Sequence, residues 1–286
     1  MYASYWNIKG NPFLNVIDPR FLYAGDQYEE AIARFIFLAE SGRLGGVLTG
    51  PYGVGKSTVL KHVMAAVDSR LRLPLIRLDA IPGGHLPMAR HILADMNISG
   101  PTTTLADTLM NFGHATQHQA DALTRTLLCI DEAHYLTEGN GLYLVHYLSN
   151  LRITDRRTHS EIPLFTIILA GSPALLTAIR AQPSLGQRMQ IIVSLAPLPF
   201  AHTAAYIQHH MRAVGGDLWV FDQGALDALC RLSEGLPRKI NLLCDTALML
   251  GFAAKTHQIT APIVNQAAQD IGLTPTLAPA ATEESP

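Results

Sequence analysis

Gly50-Pro51-Tyr52-Gly53-Val54-Gly55-Lys56-Ser57-Thr58 lies between an apolar run at 44–49 and a helical stripe of Val59, Leu60, Val63, Met64 and Val67. Its spacing, G-x-x-x-x-G-K-[ST], is that of a phosphate-cradling loop. The chemistry explains the spacing. Glycines let the backbone curl so that several N–H groups point inward at phosphate oxygens. The following helix presents its positive N-terminal end to the same phosphates. Lys56 supplies a mobile cation for the β- and γ-phosphates of ATP, and the Ser57 hydroxyl can ligate Mg2+. A glycine turn beside a chance lysine would share the letters. The strand before this loop and the amphipathic helix after it are the context the phosphate reading requires.

Further along, Leu127-Leu128-Cys129-Ile130-Asp131-Glu132 is an apolar strand ending in two carboxylates. Adjacent acids at the end of a buried strand are poor packing. Beside a phosphate cradle they are useful: Asp131 is expected to hold Mg2+ directly or through water, and Glu132 to polarise the attacking water. A pair of acids opening a loop is the bland alternative, and the upstream cradle argues against it. Asp131-Glu132-Ala133-His134 also spells the DEAH signature of a helicase class. That class needs a second RecA-like domain with arginine motifs, and the helical remainder of this chain does not read as one.

Outward from these motifs, short apolar strands at 44–49, 73–78, 127–130 and 164–170 alternate with helices, including one over 142–152 and one starting at Pro173. Such alternation predicts a parallel sheet covered on both faces. Ahead of the first strand, Asp26 and Glu29 read as a capping box, with Tyr28, Ala31, Ile32, Phe35, Ile36 and Ala39 as the buried helix face. After about residue 200 only helical patterns remain. Asp222 reads as an N-cap, Gly235 as a stop, Pro237 as a first-turn residue and Thr260 as the start of the last helix. The prediction is an α/β fold: a P-loop domain over 1–200 with an irregular N-terminal lead-in, an all-α lid over 201–272, and a disordered tail over 273–286.

Composition sets bounds on this reading. The 286 residues are 48% hydrophobic and 15% charged, with a net charge of −2, which describes a globular chain with no general affinity for polyanions. Cys129, Cys230 and Cys244 are too few and too scattered for a disulfide framework or a zinc site. The N-terminus lacks the features of a signal peptide, and no run approaches the length of a membrane span. The chain is therefore expected to be soluble and cytoplasmic.

Over residues 1–272 the sequence resembles the AAA+ ATPases of the general secretion pathway protein A group, relatives of the ATPases that regulate transposition. The resemblance rests on Asn11-Pro12-Phe13, Asp18-Pro19-Arg20-Phe21, the cradle, Ile130 through His134, Leu169-Ala170-Gly171-Ser172-Pro173, Gln187-Arg188, and Gly235-Leu236-Pro237-Arg238-Lys239-Ile240-Asn241. The cradle and acid pair are shared by many NTPases. The NPF segment and the late G-x-P-R-x-I-N run narrow the match.

The resemblance assigns further roles. Ser172 sits at the sensor 1 position near the γ-phosphate, where the group usually has Gln; an ordinary N-cap before Pro173 is the alternative. Arg188 looks like the arginine finger that reaches a neighbouring subunit's ATP. Arg238 resembles sensor 2, with Lys239 as its rival. ATP is implied between the two domains and at a subunit boundary, and the lead-in near the adenine. The implied activity is ATP hydrolysis in a ring or filament of copies of this chain. Longer members of the group carry a membrane helix and a peptidoglycan-binding domain, so service to secretion or envelope assembly is expected to run through a partner protein. Alternatives are an ATP-dependent matchmaker on duplex DNA and a slowly hydrolysing nucleotide switch.

Two other clusters carry less. Arg152, Arg156, Arg157 and His159 could touch a DNA backbone, but Asp155 and Glu161 interrupt them and favour a solvated loop. His114 and His118 share a helix face with no nearby acid or cysteine, and His209 and His210 point to different faces, so none of these predicts a metal.

Overall fold

The computed structural model describes residues 2–14, 18–23, 25–82, 84–118, 123–139, 141–155, 158–216 and 218–273. The chain opens with a helical turn, α1 (Tyr2–Tyr5), and a 3-10 turn, Pro19–Phe21. Then follow α2 (Asp26–Glu40), β1 (Gly45–Thr49), α3 (Lys56–Leu71), β2 (Leu75–Asp79), α4 (His85–Asp95), α5 (Leu105–His118) and β3 (Thr126–Asp131). The next elements are α6 (Gly141–Asn150), β4 (Arg152–Thr154), β5 (Glu161–Pro163), β6 (Phe165–Gly171), α7 (Pro173–Arg180), α8 (Pro183–Gly186) and β7 (Met189–Ser194). The chain closes with α9 (Phe200–Ala213), α10 (Gln223–Ser233), α11 (Pro237–Ala253) and α12 (Ala261–Asp270).

Two compact units emerge. The first holds residues 24–196, built on a five-stranded sheet in the order β2-β3-β6-β1-β7. Every pairing in that sheet is parallel. Strands β1, β3 and β6 are buried along their whole length, which is why they read as unbroken apolar runs. Below the sheet Phe35, Leu38, Val59, Leu60 and Val63 are fully buried on α2 and α3, which pack together. One core cluster joins Val47, Ile130, Ile167 and Leu169 of the sheet to Ile92, Leu93, Phe112 and Leu148 of the helices. Removing one such side chain costs roughly 2–5 kcal/mol, so this core fixes where the strand ends sit.

The sequence reading missed two elements here. β7 is an edge strand whose burial alternates, with Gln190 and Ser194 facing outward, and half-buried edges lack the apolar run that marks the other strands. The stretch read as a basic loop contains the antiparallel pair β4–β5. A third difference concerns α2. Its N-cap is Gly25 and makes no side-chain cap bond; Asp26 is the first helical residue, and with Glu29 it lies in the first turn, where carboxylates oppose the positive helix end.

The second unit comprises residues 1–23 and 197–286. Helices α10, α11 and α12 pack on one another, and Ile240, Leu243, Cys244, Ala247 and Leu248 of α11 are fully buried. Asp222 caps α10 by accepting a bond from the Ala225 N–H at 2.6 Å, and Pro237 opens α11. The lead-in groups with these helices and not with the P-loop sheet, because its large side chains find their partners there. Trp6 is buried and donates Nε1–H to the Leu248 carbonyl at 3.0 Å. Tyr2 and Asn11 both donate to Oδ1 of Asp245. Phe13 and Phe21 stack on His210, whose Nδ1 meets the Pro12 carbonyl at 2.7 Å. Burial holds His210 down at a pKa of about 4, so it sits in the core as a neutral ring. The tail over 273–286 lies, apart from Leu273, outside the described residues.

Candidate functional site

The cradle grows directly out of β1. Gly53 (φ +81°) and Gly55 (φ +107°) place the backbone in the left-handed region that glycine adopts without penalty. At Gly50 the reason for glycine is space: a Cβ there would lie 2.7 Å from the Leu195 carbonyl oxygen and 2.9 Å from Val54 Cγ1. The loop is braced from α2, where the buried Tyr28 hydroxyl donates to the Val54 carbonyl at 2.9 Å. Lys56, the first residue of α3, is buried, and its Nζ donates to the carbonyls of Gly50 at 3.0 Å and Pro51 at 3.1 Å. Burial lowers its pKa, while the charges of Glu132 and Asp131 pull the other way. Ser57 and Thr58 follow it in the first turn of α3 and are half-buried, and Tyr52 is exposed at the loop's tip.

The acids end β3. Asp131 is only 2% exposed. One of its oxygens accepts the Glu132 N–H at 3.0 Å and the other accepts from the Arg77 guanidinium at 3.2 Å. Arg77 is a site residue that the sequence reading did not single out. In the parallel register it stands opposite Cys129, on the face that Cys129 shares with Asp131, and leans one step along the strand. Cys129 itself is buried and its thiol is pushed up to about 12, so it is an inert core residue. Glu132 has φ +50° and is followed by a 3-10 turn, Ala133–Thr137. Its Oε2 lies 3.3 Å from Nδ1 of His134.

The remaining predicted residues occupy other places. Ser172 is the N-cap residue of α7 yet makes no side-chain cap bond, so the plain capping alternative does not account for its hydroxyl. Arg188 follows α8 and holds two partners: Nη2 donates to Asn150 Oδ1 at 2.6 Å and Nη1 to the Ser184 carbonyl. Arg238 lies in the first turn of α11 in the helical unit, and its neighbour Lys239 forms a part-exposed ion pair with Glu234 at 2.7 Å. Arg152 donates to the carbonyls of Ser149 and Leu151, while Arg156 and Arg157 lie outside the described residues. Among the described residues no three His, Cys, Asp or Glu side chains converge as a metal cluster, and no helix is long and apolar enough to cross a membrane.

The residues fit a nucleoside triphosphate with Mg2+. The glycines let the loop adopt left-handed backbone and pack closely on Leu195 and Tyr28, a buried ammonium stands at the loop's base, and oxygen donors at Ser57 and Asp131 suit a hard cation. Cradle and acidic strand end are those of a P-loop nucleotide-binding site, and residues 39–179 match the family model described as AAA domain. The chain is 28% identical to General secretion pathway protein A of Aeromonas hydrophila over 277 residues, 95% of this chain and 48% of that one. It thus spans about half the length of the curated relative it matches. Its fold is similar to the ORC2 protein of Aeropyrum pernix, with TM-score 0.65, 16% identity, and coverage of 91% of this chain and 71% of that one. The ORC1 protein of the same organism, solved in complex with DNA, gives TM-score 0.66 at 13% identity, covering 91% and 68%.

Proposed function

We propose that this protein hydrolyses ATP at the cradle after β1, in an oligomer whose neighbouring copy supplies Arg188. The observation that carries the reading is the buried Lys56, its Nζ held by the Gly50 and Pro51 carbonyls at the base of the glycine loop, in a sheet whose strand β3 ends in the buried Asp131. The cradle N–H groups and Lys56 would bind the phosphates, Ser57 and Asp131 would hold Mg2+, and Mg2+ would supply charge neutralisation on the phosphate oxygens. Glu132 takes a proton from water as the water oxygen bonds to the γ-phosphorus. The bridging P–O bond breaks, and its electron pair leaves on ADP. Ser172, at the end of β6, is half-buried and would contact the γ-phosphate through water. The sensor role of Arg238, or of its neighbour Lys239, rests on the resemblance.

Binding of a fluorescent ATP analogue and steady-state turnover test this together. Lys56→Ala should lose binding. Glu132→Gln should bind normally and turn over on the order of 10²–10⁴-fold more slowly. Full turnover by Glu132→Gln would remove Glu132 as the base.

The trans role of Arg188 predicts complementation. Arg188→Ala and Lys56→Ala should each be inactive alone, and mixing them should restore activity, because each mixed boundary can pair an intact cradle with an intact arginine. A mixture as inactive as its components would rule out supply in trans. The similarity to General secretion pathway protein A favours a secretion or envelope task through a protein partner. Turnover that rises with protein concentration and ignores duplex DNA would agree with that, whereas strong DNA stimulation would transfer the reading to a DNA-loaded ATPase.

A further inference from the structure

The turn that carries Glu132 also carries a histidine with no role so far. His134 sits in the 3-10 turn, with its ring against Tyr135 at a centroid distance of 4.4 Å. The end of β6 closes over it: a Cβ on Gly171 would come within 3.0 Å of the His134 backbone nitrogen. Nδ1 of His134 faces Oε2 of Glu132 at 3.3 Å. Both atoms are buried, and neither has a hydrogen-bond partner among the described residues. Two buried polar atoms without other partners, face to face within a small side-chain rotation of hydrogen-bond contact, are costly unless they serve each other. A proton on Nδ1 makes the imidazole a donor and the carboxylate oxygen its acceptor.

The left-handed backbone at Glu132 points to the same pairing. A non-glycine residue at φ +50° is disfavoured, and it persists where the surroundings over-determine it. Here the bend turns the Glu132 side chain back over its own turn, toward the residue two positions on. Glycine at 132 would make the bend freely and would carry no carboxylate.

We propose that His134 is the positioning residue for Glu132: Nδ1 holds Oε2, and Oε1 is left to take the proton from the attacking water. The inference rests on the reading of Glu132 as the general base. An imidazole packed against Tyr135, in a turn whose backbone lies close to Gly171, orients the carboxylate without touching nucleotide itself. Orientation matters because a base must lie within about 2.6–3.2 Å of the oxygen whose proton it removes.

The test uses the full chain with three substitutions at 134, read by kcat, KM, analogue binding and the thermal midpoint. His134→Ala should lower kcat about 10-fold or more, a part of the ~10²–10⁴ that a general base contributes, with analogue affinity unchanged. His134→Asn puts an amide N–H near the place of Nδ1 and should restore most of the loss. His134→Gln reaches the place of Nε2 and should not. Equal loss in all three, tracking a lowered thermal midpoint, would assign His134 to packing and overturn the proposal. So would a change confined to KM, or a kcat that rises when the imidazole is removed. Glu132→Gln is measured beside them. If it is inactive while His134→Ala turns over normally, only the positioning role falls; if it is active, the reading of Glu132 falls first.

Discussion

The turn after β1 and the turn after β3 both bend the chain through left-handed backbone, at Gly55 with φ +107° in one and at Glu132 with φ +50° in the other. The first turn uses glycine, and what it offers is backbone: N–H groups, a close approach to Leu195, and the start of α3. The second turn keeps a side chain despite the penalty, because what it offers is a carboxylate. Left-handed geometry costs a non-glycine residue roughly 1–2 kcal/mol. Where the peptide itself is the binding group, that cost is absent. Where a charged side chain must stand at a fixed point, it is borne, and the neighbouring contacts hold it. The two turns end strands β1 and β3, which flank β6 in the sheet, so the rigid core sets both positions.

The cradle half of this comparison breaks most easily at Gly50. Its Cβ would meet the Leu195 carbonyl oxygen at 2.7 Å, and Leu195 cannot drift because its N–H is bonded to the Thr49 carbonyl at 2.8 Å. Gly50→Ala should therefore destabilise the sheet unit by about 1–3 kcal/mol and abolish analogue binding, since relief must come from moving the loop. A denaturant titration and a binding titration check this. A variant of ordinary stability and affinity would show that the cradle tolerates side chains, and the contrast with Glu132 would lose its physical basis.

What the sequence disclosed of these turns follows from how local their chemistry is. The cradle and the acid pair are consecutive residues, so Gly50 through Thr58 and Asp131-Glu132 can be read directly, and the buried strands β1, β3 and β6 announce themselves as apolar runs. Contacts between distant segments have no such signature. Arg77 reaches Asp131 only through the β2–β3 register, Tyr28 braces Val54 from another helix, and Asn150 holds Arg188 across 38 positions. Tyr28 was legible as a core residue from its helical spacing, while the use of its hydroxyl was not. β7 was missed because an edge strand needs only one apolar face. The affinity of Trp6 and Phe13 for the helical unit was hidden because an irregular lead-in has no period that would indicate its partner.

The smallest effect tests the acidic turn itself. Glu132→Gly would relieve the left-handed strain and the burial of a carboxylate, at the cost of its contact with His134 Nδ1 at 3.3 Å and of glycine's extra freedom in the unfolded chain, roughly 0.5–1 kcal/mol. The balance should leave the variant about 1 kcal/mol more stable than the parent, while hydrolysis disappears and analogue binding persists. Opposite signs for stability and turnover at one residue are what a strained functional side chain predicts and what a purely structural one does not. Urea midpoints for Glu132→Gly and Glu132→Gln separate the contributions, because glutamine keeps the backbone penalty and glycine removes it. If both variants lose stability equally, the bend at 132 is held by the side chain for the fold's sake, and the difference between the two turns is one of packing and not of chemistry.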